Sequence, residues 1–352
     1  MILLLLACGG ERTSAGDAPP ADAPFPEFGE TMTEIGTAAD GLANPRDLEF
    51  NPQDPSELWT VNQAIDGTVV FFEPGADTQT SEVLVDHYAR HFMADPSALA
   101  FGQPGIFATC QESRDDWNDV PQPEDDFMGP TLWPSDLDTY CVVGQTDDYP
   151  PEGSHLDMLH ESPWCMGITW EVDNVFWAFD GLHGDIVRYD FVQDHGAGGS
   201  DHSDGIVRRY TDAAVSRVSG VVSHMAFDGE GGLLVADTGT GRIMRLDTAS
   251  GDIEGRRNLP NTDGLDEYSN VTGATWEVWA EGLDQPSGMA IVEDRVLVSE
   301  HGTGDIVAFD ARGAELGRIA TDAVGLQGIT VGPEGHVWFA DGDGNRVVRV
   351  DE

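Results

Sequence analysis

The chain contains no lysine, and its 17 basic residues are all arginine. Against them stand 64 Asp and Glu residues, which gives 352 residues a formal net charge of −47. Binding DNA, RNA or an anionic membrane by charge requires basic patches that neutralise phosphate groups. The composition therefore excludes nucleic acid as a partner. It favours cations or basic ligands, or else a hydrated carboxylate surface with no further role.

The motifs of several enzyme classes are also missing. Neither a P-loop nor a dinucleotide-binding fingerprint occurs between a strand and a helix, so we expect no nucleotide cofactor. No G-x-S-x-G elbow is present, and a serine beside a histidine in sequence does not make a catalytic triad. The sequence gives no support to nucleophilic catalysis.

The amino-terminal apolar run, MILLLLAC, has no basic residue before it and is too short to span a bilayer as a helix. Its end, Leu5 to Cys8, resembles a bacterial lipobox, which predicts a signal segment over 1–8 and a lipid on Cys8. Residues 9–27 are rich in Gly, Ala, Pro and Asp and predict a disordered tether. These features predict a lipid-anchored protein of the cell envelope, periplasmic or surface-exposed, that meets the membrane through its lipid alone. The alternative is a wrongly assigned start and no export.

A phrase of about fifteen residues recurs along the chain. Its clearest copies are LLVADTGTGRIMRLD at 233–247, VLVSEHGTGDIVAFD at 296–310 and VWFADGDGNRVVRVD at 337–351. Each copy has an apolar strand, an acidic residue, a Gly-rich turn and an alternating second strand. Weaker copies lie at 58–72 and 175–190. A supersecondary unit repeated at this scale indicates a solenoid or a propeller, and the strands favour a propeller.

Six such units can be counted, because each phrase follows another strand with its own opening motif. Fourth strands are expected at Glu82–Val85, Ile206–Tyr210, Trp276–Ala280 and Glu315–Ile319. We therefore predict an all-β, six-bladed propeller of four-stranded antiparallel blades over 28–352. The sixth unit ends before its fourth strand. Thr31–Ile35 has the right alternation to supply that strand and close the ring.

Three insertions interrupt the pattern, near 111–133, 147–163 and 195–205. The third strand of blade 2 is hard to place, and Asp138–Val143 is the candidate. Three cysteines remain besides Cys8. In an exported protein two of them are expected to pair. Cys110 with Cys165 is preferred, because both are expected at strand ends near one rim; Cys110 with Cys141 is the alternative.

The repeats resemble the NHL-repeat family of six-bladed propellers. The residues that carry the resemblance are Pro286–Ala290, Ala236–Gly239 and Ala340–Asn345. It extends over roughly 31–352 and implies the same fold. Related six-bladed propellers include gluconolactonase-like lactonases and the lyase that completes peptide amidation, which are metal-dependent. Their ligand sets do not match this chain residue by residue, so the resemblance implies no activity.

One rim of the channel is expected to collect the polar residue that ends the second strand of each blade. Oxygen ligands around an axis suit calcium, and neighbouring histidines would suit zinc. The candidate ligands of a divalent cation are Asn62, Asp180, His183, Asp237, Glu300, His301 and Asp341. The alternative is that each acid is a turn residue that accepts backbone N–H groups.

His224 replaces the glycine found at the same place in three sister blades, so it is a candidate base, as is Glu300. Arg46, Asp47 and Ser223 are candidate ligand-binding residues on the same rim. The segment 155–202 concentrates five histidines among many aspartates. This segment is either a metal-ordered loop or a flexible polar one.

Two hypotheses follow. In the first, the propeller, which we expect to be a monomer, binds an unidentified ligand, a cation or a protein partner at one rim of its channel. In the second, the same rim holds a divalent metal and acts as a hydrolase or lyase. They differ in whether the rim side chains converge on one point.

Overall fold

The computed structural model describes residues 31–114, 127–148, 150–199, 201–255 and 264–351. These residues form six β-sheets. Five of the sheets have four strands, and one has six strands. The prediction of an all-β, six-bladed propeller is confirmed. The signal segment, the tether and part of the first insertion lie outside the described residues.

The first two blades follow chain order from the inside outwards. Strand β1 (Thr31–Gly36) precedes them. Blade 1 comprises β2 (Pro45–Phe50), β3 (Glu57–Asn62), β4 (Gly67–Phe72) and β5 (Thr80–Leu84). Blade 2 comprises β6 (Pro96–Phe101), β7 (Ile106–Gln111), β8 (Thr131–Pro134) and β9 (Asp157–Met158).

Blades 3 and 4 are interleaved. Blade 3 begins with β10 (Cys165–Val172), β11 (Val175–Asp180), β12 (Asp185–Asp190) and β13 (Ile206–Tyr210). Blade 4 has β14 (Met225–Phe227), β15 (Gly232–Asp237) and β16 (Arg242–Asp247). The chain then forms β17 (Asp252–Ile253) and β18 (Glu267–Thr272) at the edge of blade 3, and returns to blade 4 as β19 (Trp276–Glu281).

The last two blades close the ring. Blade 5 comprises β20 (Pro286–Val292), β21 (Arg295–Glu300), β22 (Asp305–Asp310) and β23 (Glu315–Ala320). Blade 6 comprises β24 (Leu326–Val331), β25 (Val337–Asp341) and β26 (Arg346–Asp351), and β1 pairs antiparallel with β26 as its fourth strand. The predicted closure by the segment after the tether is thus confirmed.

Helix is almost absent from the described residues. There is one α-helical turn, α1 (Ala89–Phe92), and there are two 3-10 turns at Ala38–Asp40 and Gln63–Ile65. No helix within the described ranges is long and apolar enough to cross a membrane.

Blade 2 differs from the sequence prediction. Asp138–Val143 forms turns, and the third strand is β8, whose four residues are all buried. The reason is packing. Tyr140 is fully buried against Trp59 and Trp133, and these contacts hold its segment against the aromatic core instead of in the sheet. Blade 3 has more strands than the sequence predicted. β18 pairs in parallel with β13, and the sheet has six strands.

Apolar side chains fill the spaces between adjacent blades. Six clusters of buried residues lie there, such as the cluster around Trp59, Phe107 and Trp133 between blades 1 and 2. A disulfide between Cys110 and Cys165, with Cα atoms 5.5 Å apart, joins β7 to β10. Of the two pairings considered from the sequence, the structure thus contains the one between blades 2 and 3. Cys141 is a free thiol.

Candidate functional site: a pit in the central channel

The channel is lined by six inner strands in the order of the blades around the ring. In five blades, position 1 of the inner strand pairs with the last residue of the second strand, as Pro45 does with Asn62 and Pro286 with Glu300; in blade 4 the equivalent position is Val222, which precedes β14. Counting from there, position 3 is held by Asp47, Ala98, Gly167, His224, Gly288 and Gly328. Position 5 is held by Glu49, Ala100, Thr169, Ala226, Ala290 and Thr330.

The channel is narrowest at position 3. A Cβ atom on Gly328 would lie 2.4 Å from an oxygen of Asp47, and one on Gly167 would lie 2.0 Å from the Ser223 carbonyl oxygen. Real Cβ atoms do not approach so closely, so blades 3 and 6 require glycine here. Only two blades carry a polar side chain at this level.

Those two side chains, Asp47 and His224, come from blades 1 and 4, which lie opposite each other in the ring. Nε2 of His224 lies 2.9 Å from Oδ1 of Asp47, and both side chains are at least nine-tenths buried. Each also binds the next blade: Asp47 Oδ2 accepts the Leu99 N–H, and His224 Nδ1 accepts the Met289 N–H. We call Asp47 and His224 the floor pair, because together they close the channel.

In the floor pair both imidazole nitrogens face groups of the protein. In the neutral ring, Nδ1 accepts a backbone N–H and Nε2–H faces the carboxylate. Burial lowers the pKa of His224, but the Asp47 carboxylate overcomes this effect and the pKa is raised. Nδ1 is thus hydrogen-bonded, and Nε2 is buried against Asp47 without the alignment of a hydrogen bond, which does not favour the sequence-based role of His224 as a base toward a ligand.

Beyond the floor pair the channel widens into a cavity of about 270 Å³, which we call the pit. The inner strands of blades 1, 3, 5 and 6 are buried through position 4 and partly exposed from position 5 onward, so the pit opens away from the rim positions. The surface that faces the pit is mostly polar, and Leu99, Ile168, Met225, Met289 and Ile329 lie behind it with their side chains in the apolar clusters between blades.

Glu49 is the one acid on the pit wall outside the floor pair, and sequence reasoning missed it. Its Oε2 accepts the Phe101 N–H at 2.8 Å. The wall position is partly exposed, but the carboxyl lies among protein atoms, and burial raises its pKa to about 8. Small residues at position 5 of the other five blades leave room for a ligand beside it. Comparing that position across the repeats would have revealed the exception.

The opposite end of the channel is covered by an ion network. Glu112, which follows β7, accepts from Nη1 of Arg46 at 3.0 Å and from Nη1 of Arg217 at 2.6 Å. It also accepts the N–H of Gly220, whose carbonyl oxygen binds the Gln327 amide. The loop that contains Arg217 and Gly220, together with the Glu112 carboxylate, lies over the rim where the sequence predicted a ligand site. Arg46 is completely buried there.

The rim positions do not converge. Asp237 accepts the Ser216 N–H at 2.8 Å and Nε–H of Arg242 at 2.7 Å, and Glu300 binds Arg318 at 2.5 Å. The others accept backbone N–H groups of their own blade: Asn62, Asp180 and Asp341. Each side chain stabilises its own turns, as the alternative interpretation predicted.

The remaining candidates of the rim are also engaged locally. His183 binds the carboxylate of Asp180 at 2.8 Å, and Nδ1 of His301 lies 3.0 Å from the Leu326 carbonyl oxygen. Ser223 is buried with its hydroxyl 2.6 Å from that of Thr238. Within the described ranges, no three ionisable rim side chains have ligand atoms close enough to share an ion.

A different part of the molecule does contain such a group. Asp157, His195 and Asp204 place one ligand atom each within 4.8 Å of the others. They lie on the outer side of blades 2 and 3; Asp157 and His195 belong to the histidine-rich segment 155–202, and Asp204 follows it by two residues. The structure therefore contains an acidic cluster with the geometry of a metal site, away from the channel.

No protein-family model matches the chain, and no curated protein matches it in sequence. Solved structures do resemble it. They include the calcium-binding protein regucalcin from Agrobacterium tumefaciens, at 12% identity over 91% of this chain and 93% of that one, with a TM-score of 0.54. An auxiliary nutrient binding protein from Bacteroides ovatus gives 10% identity, coverage of 90% and 75%, and 0.54. Virginiamycin B lyase from Staphylococcus aureus gives 11% identity, coverage of 91% and 98%, and 0.50.

Identities this low show the fold alone. The chain is a six-bladed β-propeller whose channel is closed at one end by Glu112 and its arginines, divided by the floor pair, and open at the other end as the pit.

The floor pair predicts strong energetic coupling across the channel. Replacing His224 by Ala removes the imidazole that faces the buried Asp47 carboxylate and leaves the Met289 N–H buried without an acceptor, so the free energy of unfolding should fall by about 3 kcal/mol. In a chain that already carries Asp47→Ala the same change should cost less, with a coupling energy of about 1–3 kcal/mol. Urea unfolding of the four proteins measures it. Asp47→Ala combined with the half-exposed His87→Ala is the control and should be additive; additivity in the Asp47–His224 cycle would refute the coupling.

Glu49 predicts a loss of stability as the pH rises from about 4.5 to about 8. An unfolded glutamate loses its proton near pH 4.5, whereas folded Glu49 keeps it to about pH 8. Between these values the folded state binds more protons, so the free energy of unfolding decreases as the pH rises. Glu49→Gln should flatten this decrease between pH 5 and pH 9 in urea titrations. The exposed Glu334→Gln should leave the profile unchanged, and an equal effect of both variants would contradict the assignment.

Proposed function

We propose that this chain is a lipid-anchored, extracytoplasmic propeller that binds a small cationic organic ligand in the pit. The observation that carries the proposal is the Glu49 carboxyl, the single acidic residue at position 5, on the wall of a cavity whose other position-5 residues are small. A cationic head would meet the carboxyl, while a short carbon chain would contact Ala226 and Ala290.

The size and charge of the molecule agree with this class of ligand. A cavity of about 270 Å³ lies at the lower end of ligand pockets, which limits the ligand to a small molecule. The net charge of −47 raises the local concentration of cations around the protein and repels anions. Binding of an ammonium group would favour the ionised form of Glu49, so binding should release a proton.

One sequence feature and one structural feature support the extracytoplasmic location. The sequence feature is the amino-terminal segment, with the lipobox-like Cys8 followed by the tether. The buried disulfide between Cys110 and Cys165 adds a structural one, because such bonds persist in oxidising compartments outside the cytoplasm.

A metal-dependent hydrolase or lyase at the rim has less support. Every rim carboxylate in the described residues already binds backbone N–H groups or arginines of its own blade, and the Glu112 network covers that end of the channel. The geometry favours ligand binding in the pit over chemistry at the rim.

Putrescine and 1,4-butanediol form a matched pair for testing the pit, because they share a carbon chain and differ in charge. The chain with Cys8→Ser should bind putrescine in calorimetry, and the diol should bind at least tenfold more weakly, a difference of about 1.4 kcal/mol or more. The heat of binding should vary with the ionisation enthalpy of the buffer, because a proton is released.

The variant Glu49→Gln should lose at least tenfold in putrescine affinity, and Glu334→Gln should lose none. The diol binding as well as the diamine, or Glu49→Gln binding unchanged, would remove the cationic ligand from the proposal.

The anchor is tested separately in a bacterial host that processes lipoproteins. The wild-type chain should fractionate with membranes and incorporate labelled palmitate, because a lipid on Cys8 is its only expected membrane contact. Cys8→Ser should abolish both properties, whereas replacing the buried pair by Cys110→Ala and Cys165→Ala should not affect labelling. Membrane association that survives Cys8→Ser would disprove lipid anchoring through this residue.

A further inference from the structure

The insertion at 195–205 leaves blade 3 between β12 and β13 and lies against blade 2. The Gly198 N–H donates to the His155 carbonyl oxygen at 2.6 Å, and the Glu152 N–H donates back to the Gly198 carbonyl oxygen at 3.4 Å. These contacts hold the insertion against the segment that precedes β9, the outermost strand of blade 2, and His202 of the insertion contacts Asp157 of β9 itself. His195 and Asp204, at the two ends of the insertion, have ligand atoms close to Asp157.

Asp157 is a buried carboxylate on the outermost strand of its blade. Its side chain is 1% exposed. Oδ1 accepts the Met158 N–H at 2.7 Å and faces Nδ1 of His202 at 2.5 Å, whereas Oδ2 is buried and has no hydrogen-bond partner among the described residues. A buried carboxylate oxygen without a partner costs free energy that a bound cation would recover.

The other two members face the same place from the insertion. Nε2 of His195 lies 2.8 Å from Oδ1 of Asp204, and their side chains are 19% and 27% exposed. Two ligands about 2.0–2.1 Å from one tetrahedral ion lie roughly 3.3 Å apart, so a shift of about half an ångström would admit the ion between them. The exposed side of the group gives an ion access from solvent and leaves a position for water.

We propose that Asp157, His195 and Asp204 bind a zinc ion that joins the insertion of blade 3 to the outer strand of blade 2. One imidazole nitrogen with two carboxylates is a donor set that zinc accepts. Calcium takes six to eight oxygen ligands, and three protein groups including a nitrogen do not supply them.

His202 completes the site from outside the ligand set. Its Nδ1 lies against the Asp157 oxygen that does not lack a partner, so it fixes the orientation of the carboxylate. Hydrogen bonds of this kind orient metal ligands and raise affinity. His202 is therefore a positioning residue, and replacing it should weaken zinc binding without abolishing it.

The site would give blades 2 and 3 a second connection. Their disulfide joins β7 to β10 near the channel, and the zinc ion would join β9 to the insertion at the outer edge. Zinc should therefore restrain the insertion and have little effect on the pit.

The test uses zinc chloride and the full chain with Cys8→Ser, stripped of metal by chelator and dialysed. Calorimetry should show one zinc ion per chain, and zinc should raise the Tm while equimolar calcium does not. X-ray absorption should show only nitrogen and oxygen neighbours at about 2.0–2.1 Å, which separates this site from the Cys141 thiol. Zinc should also slow proteolytic cleavage within 192–205 by at least fivefold.

The variants His195→Gln and Asp204→Asn should each lose at least tenfold in zinc affinity and lose the protection from proteolysis. Asp201→Asn, an exposed aspartate of the same insertion, is the matched control and should retain both, as should the pit variant Glu49→Gln. Zinc binding that survives His195→Gln and Asp204→Asn, a sulfur neighbour, or an equal stabilisation by calcium would overturn the proposal.

Discussion

The close approach of six inner strands is the constraint on which this molecule depends. At position 3 a methyl group on Gly328 would collide with Asp47, so the ring can close only if most blades carry glycine or alanine there. Asp47 and His224 fit because they occupy opposite blades and share the small central space, and because each binds a backbone N–H of the next blade. The same contact that closes the channel also gives the pit its floor.

A repeated residue in a repeat protein serves first the need that every repeat shares. Each blade must hold the segment that leads into its inner strand and the turn between its second and third strands. Asp237 and Glu300 accept the N–H groups of Ser216 and Asp284 in the first of these, and Asp341 accepts the Gly344 N–H in the turn. Their recurrence around the ring made them look like a shared ligand set in the sequence. Residues that break the repeat carry more information about function, and Glu49, Glu112 and the insertion at 195–205 all break it.

The sequence was sufficient where the signal was local and periodic. The blade count and the role of Thr31–Ile35 followed from alternation and from a missing fourth strand, and pairing of β1 with β26 agrees. The prediction of a strand at Asp138–Val143 was wrong, because Tyr140 is buried in an aromatic cluster and its segment does not pair with a strand. The parallel addition of β18 to β13 had no local signal, since register between distant segments depends on tertiary packing. Glu49 was visible at its repeat position, but its raised pKa depends on the fold around it.

The two proposed sites use the acidic composition in different ways. In the pit, the buried Glu49 carboxyl holds its proton, so a cationic ligand must displace that proton and gains selectivity over neutral molecules of the same size. At the edge of blades 2 and 3, one oxygen of Asp157 accepts a backbone N–H and the other has no hydrogen-bond partner among the described residues. The proposed zinc ion would supply the missing partner. A net charge of −47 would attract cations to both places, and burial, not charge alone, decides which cation each one keeps.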